Sequence, residues 1–101
     1  MAATVGSTLR QGIGLVATLV NVAGLAIVAI LVGHIVLTLL EANPQNFLTD
    51  FVARWAAEFN LGLGDLFTPE QPKTAVALNY GVAAALWLTL TTVVVRLLRR
   101  I

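Results

Sequence analysis

His34 is the one side chain of this sequence whose ordinary proton equilibrium lies near neutral pH, and with Thr38 and Glu41 it stands at i, i+4 and i+7 on one helical row. A proton sensor or a pigment or haem ligand would look like this, and so would a histidine bonded to a carboxylate or to a neighbouring helix. No second ligand accompanies it, so the structural reading leads and a pigment or haem subunit using His34 is kept as a lesser alternative. Ser7 is the only serine and there is no cysteine, which leaves a Ser-His or Cys-His nucleophile nothing to be built from. The Gly62-Leu63-Gly64 stretch lacks the following Lys-Ser/Thr or third glycine of a phosphate-binding loop. Asp65 and Glu70 could form a carboxylate pair, but no pattern brings them together. The expectation is a protein that is not an enzyme, with no cofactor and no metal.

The elements that carry these residues are set by an unusual composition. Apolar residues make up 58% of 101 residues and charged residues 11%, too little charge to cover a small water-soluble domain. From Ile13 to Leu40 there is no formal charge. A helix of that length reaches about 42 Å, more than the ~30 Å of bilayer hydrocarbon. A second apolar run, Thr74 to Leu98, stays uncharged until Arg96. The expected fold is all-α integral membrane: a two-transmembrane-helix hairpin with an amphipathic interfacial helix in the connector. Its parts are a flexible cytoplasmic lead (1–11), a first span (12–40), a connector (41–73) with its helix at 44–59, a second span (74–98) and a basic tail (99–101). Arg10, Arg96, Arg99 and Arg100 flank the spans on one side against Arg54 and Lys73 on the other. The bias toward positive cytoplasmic flanks then places both termini in the cytoplasm of a cell-membrane protein and the connector outside. Arg96, Arg99 and Arg100 are expected lipid anchors, and a net charge of +1 without a basic stripe argues against nucleic acid.

Inside the connector, Asn43-Pro44 reads as a helix start. Phe47, Leu48, Phe51, Val52, Trp55, Ala56 and Phe59 then recur on one helical stripe, with Phe47, Phe51, Trp55 and Phe59 as its aromatic row. That row is expected to hold the helix against lipid, against the spans, or against another protein. Asp50 with Arg54 and Arg54 with Glu58 are i,i+4 pairs on the opposite face. Two glycines then break the helix, and the apolar Leu61, Leu63, Leu66 and Phe67 argue for partial burial of the loop. Thr68 and Gln71 have capping-box spacing, and Pro72 is suited to open the second span.

Within the spans, Ala77, Gly81, Ala85 and Thr89 form a ridge of small residues suited to close helix approach, either by the first span or by another copy, and Ala29 and Gly33 offer the same spacing on span one. Asn21 and Asn79 need hydrogen-bond partners, and by depth they do not serve each other. The order of long span, Ala42-Asn43-Pro44-Gln45-Asn46 turn, aromatic helix, Asp65-Leu66-Phe67-Thr68-Pro69 and Asn79-Tyr80-Gly81 resembles small uncharacterised two-span membrane proteins of high-GC Gram-positive bacteria. In outline it is similar to one repeat of the YggT family of integral membrane proteins. The resemblance implies an integral membrane protein with no established enzymatic activity, and it transfers no site residue. The expected function is that of a small structural or accessory membrane protein, in contact with membrane lipid, that associates with itself as a homo-oligomer or with a larger membrane complex. The alternative is a pore-forming, holin-like oligomer, against which neither span carries a sustained polar stripe.

Overall fold

The computed structural model describes residues 2–101, with side chains from Gly6 onward. It holds three helices, α1 (Ala2–Leu39), α2 (Phe47–Glu58) and α3 (Pro72–Arg100), in a rod 63 Å long. Two of them, α1 and α3, are long and apolar enough to cross a membrane.

α1 starts at Ala2, so residues 2–11, expected as a flexible lead, are helical. No proline interrupts this stretch, and Ala, Leu, Arg and Gln propagate a helix once the apolar run has nucleated it. At its other end the Ala42 amide donates to the Leu37 carbonyl at 2.9 Å and the Glu41 amide to Thr38 at 3.1 Å, with Glu41 at φ 57°. This is a Schellman stop in which the left-handed position, usually glycine, is a glutamate.

The connector helix begins later than the proline suggested. Asn43 spends its side chain on a local turn, accepting from the Gln45 amide at 3.0 Å, and the cap is Asn46, whose Oδ1 accepts from the Leu48 amide at 3.0 Å. The expected helix 44–59 therefore runs 47–58. After Phe59 the chain reverses through Leu61 and Gly62, with φ of 59° and 74°, while the Asn60 Oδ1 accepts from the Gly62 amide at 2.9 Å. α3 opens with Pro72 in its first turn, as that residue suits, but its cap is Gln71 without a side-chain bond. The Thr68–Gln71 capping box does not form, because the helix starts one residue after Gln71 rather than after Thr68. The expected second span, 74–98, is extended at both ends, and Arg99 and Arg100 form the last helical turn instead of a tail.

α1 and α3 pair as an antiparallel hairpin, Gly24 against Thr91 at one level and His34 against Tyr80 at another. Buried positions recur every seven residues, Ala17, Gly24 and Leu31 on α1, Ala84 and Thr91 on α3, the repeat of a left-handed helix pair. α2 lies along this hairpin and not across its end. Val52 sits beside Gly33, and further along Phe59 meets Trp87, which shares a groove with Ile27. α2 thus runs antiparallel to α1. Leu31, Ala56, Ala83 and Ala84 form the core where the three helices meet.

Candidate functional site

No cluster of His, Asp and Glu suited to a metal occurs among the described residues, and several polar side chains bind one element to another. Asn79 is the centre of that work. It is 1% exposed and uses both ends of its amide on the connector backbone: Oδ1 accepts from the Phe67 amide at 2.7 Å, and Nδ2 donates to the carbonyls of Gly64 at 2.8 Å and Phe67 at 2.9 Å. From the next residue the Tyr80 hydroxyl accepts a long 3.5 Å bond from Asn60 Nδ2. Trp87 Nε1 donates to the Phe59 carbonyl at 2.8 Å, which satisfies a helix-end carbonyl that α2 itself leaves open. Two levels of α3, Asn79 with Tyr80 and, two turns on, Trp87, therefore hold the connector by hydrogen bonds. The need of Asn79 for a partner was legible in its type; that the partner is a loop backbone was not.

The ridge of Ala77, Gly81, Ala85 and Thr89 does not face α1. Ala85 and Thr89 are exposed, Ala77 and Gly81 half-buried, and a Cβ built on Gly81 would meet nothing within 4 Å. The hairpin packs instead through Ala83 and Thr91, two residues out of phase with the ridge and so about 200° round the helix. On α1, Ala29 is exposed, and Gly33 receives Val52 of α2, its Cβ position 3.8 Å from Val52 Cγ1. The glycine that does allow close approach of α1 and α3 is Gly24, where a Cβ would lie 2.1 Å from Thr91 Oγ1. Nothing in the spacing of small residues along the first span singles out Gly24 over Gly33.

The aromatic row divides. Phe47, Phe51, Trp55 and Phe59 form a ladder with ring centroids 6.0, 6.0 and 5.8 Å apart. Phe59 alone turns inward, edge-on to Trp87, while Phe47, at 81% exposure, and its neighbours Phe51 and Trp55 remain on the surface. α2 instead packs on the hairpin through Val52 and Ala56, whose small side chains let the backbones come close. Its outermost face carries Asp50 and Arg54, joined at 3.0 Å, and Glu58, exposed one turn further on.

His34 is half-buried, its ring T-shaped against Tyr80 at 4.7 Å, and its carbonyl accepts from the Thr38 hydroxyl at 2.7 Å. Its expected row with Thr38 and Glu41 does not come together as a site, because Glu41 has left the helix and turned to Lys73 of α3, with which it forms an ion pair. The hydrogen bond from Lys73, and then its charge, hold the Glu41 carboxyl below the usual carboxylate range. The pair is solvent-exposed and of small energetic value. At the opposite end of the rod, Arg96, Arg99 and Arg100 are exposed, and Arg10 and Arg99 line one shallow cleft between α1 and α3. Comparison with known protein families, with curated proteins and with solved structures finds no match, so the functional reading rests on this geometry.

Proposed function

We propose that this chain is a small structural or accessory integral membrane protein that works by helix association, with itself or within a larger membrane complex. The observation that carries the reading is the division of faces on α3. Ala83 and Thr91 serve the hairpin and Asn79 the connector, which leaves Ala85 and Thr89 uncovered beside an open Gly81. In lipid, where apolar burial gives little drive, such smooth faces are where helices meet. Leu9, Leu15, Leu19 and Leu97 are more than half exposed, a surface suited to hydrocarbon and not to water. In this reading both termini are cytoplasmic, with Arg96, Arg99 and Arg100 at the lipid head groups, where their long side chains anchor the hairpin.

The uncharged part of α3, Thr74 to Val95, is 22 residues, or about 33 Å, scarcely more than the hydrocarbon thickness. The bilayer therefore has little freedom to slide along α3. Gly33 lies eight residues before Glu41, about 12 Å down the helix, so the part of α2 beside it sits within the outer leaflet. α2 is re-entrant in this account: it descends along α1 to Phe59, and residues 60–71 climb back to Pro72.

Purification from a membrane in mild detergent, followed by native mass, tests the association. A defined oligomer or a stoichiometric partner is expected, and Gly81→Leu should weaken it by filling the ridge. A monomer that binds nothing contradicts the proposal.

A further inference from the structure

Three charges stand on the outermost face of α2, Asp50, Arg54 and Glu58, at a depth where the preceding reading puts hydrocarbon. Charged side chains within a membrane face protein or water and are paired. Arg54 meets Asp50 through its Nε, at 3.0 Å, with the Arg54 side chain 79% exposed. Its two terminal nitrogens remain available as a planar fork suited to a second carboxylate. Glu58 has no ion pair among the described residues. The face thus carries one open cationic fork and, one turn below, one open carboxylate. Two such faces brought side by side about a two-fold axis along the membrane normal satisfy each other, because the long Arg54 side chain of each reaches about 6 Å, one turn, down to Glu58 of the other.

We infer that the outer face of α2 is the contact between two copies of this chain, closed by reciprocal Arg54–Glu58 pairs. This rests on the proposed membrane association and names its partner as a second copy. A lipid-facing α2 would leave Glu58 unpaired and the Asp50–Arg54 pair bare in hydrocarbon, and an unrelated partner would need a matching alternation of its own, whereas the second copy carries it already. The aromatic flank, Phe51 and Trp55, would border the contact on its lipid side.

The full chain, reconstituted in lipid nanodiscs or in vesicles at low density, gives its copy number by native mass or single-molecule photobleaching. The wild type is expected to be dimeric. Arg54→Glu alone places acid against acid, and Glu58→Arg alone places cation against cation. Each should raise the dimer dissociation constant by about a hundredfold, as loss of a close charge pair does. Mixed together, the two variants should form a heterodimer with both pairs restored, a result that also shows each to be folded. Wild-type dimers with single variants that dimerise equally well would overturn this interface while leaving helix association standing. So would a mixture of the variants that stays monomeric, or a wild type that is monomeric alone yet copurifies with another membrane protein. A wild type that binds neither itself nor another protein would overturn both.

Discussion

Asn79 carries more of the structure than any other single side chain. It takes up one amide and two carbonyls of the Gly64–Phe67 loop at a place where water does not reach, and a buried polar group left without its partner costs about 1–3 kcal/mol. Asn79→Ala is expected to destabilise the fold by roughly 2–4 kcal/mol on that scale, and to raise hydrogen exchange at the Phe67 amide in detergent or nanodiscs. Asn79→Asp keeps the acceptor for Phe67 but loses both donated bonds, so it should fall close to the alanine variant. Retention of exchange protection at Phe67 in both variants would show that the loop is held by its apolar side chains instead. The sequence revealed that an asparagine in an apolar run needs partners, and it placed Asn79 and Asn21 too far apart in depth to serve each other. What it could not reveal is the path of residues 60–67, because that path depends on left-handed backbone at Leu61 and Gly62, and leucine does not advertise that conformation.

Among the elements, span length and polarity were legible and helix phase was not. Charge-free runs, a proline suited to the start of α3 and arginines at its end left little doubt where the two long helices lie. Which face of α3 meets α1 was ambiguous because small residues occur on both sides: Ala83 and Ala84 inward, Ala77, Gly81 and Ala85 elsewhere. The buried seven-residue repeat decides it, and Gly24 is its tightest point. Gly24→Ala would press a methyl into Thr91, with Thr91 Cγ2 2.5 Å and Thr91 Cβ 2.8 Å from the new carbon. Overpacking of this kind costs about 1–3 kcal/mol. Thr91→Gly in the same chain should recover most of the loss, because the two sites share one contact and are not additive. Thermal or denaturant unfolding of the four proteins in one detergent gives the coupling. Additive effects would mean that the helices do not meet at this level. The connector helix was likewise legible in its existence and aromatic row but not in its inward face, since Val52, Ala56 and Gly33 are too ordinary to announce a packing contact.

For the whole molecule, the connector is a third packed element and not a loop joining two anchors. Of the settings expected for the connector helix, lipid, the spans or another protein, it takes the spans: it runs along α1, its end joined to α3 through Trp87, and this direction is what carries α2 below the level of the Glu41–Lys73 pair. The polar outer face of α2 acquires its meaning from that depth, and so does the proposed contact between copies. The absence of cysteine from the sequence permits a direct measurement of it. Single cysteines at Gln45, Trp55 and Arg100, introduced one at a time, are exposed in intact cells to a membrane-impermeant thiol reagent. Rapid labelling is expected at Gln45, labelling at Arg100 only after the membrane is permeabilised, and protection at Trp55 under both conditions until detergent is added. Labelling of Trp55 as fast as Gln45 in intact cells would put α2 in water and contradict that depth.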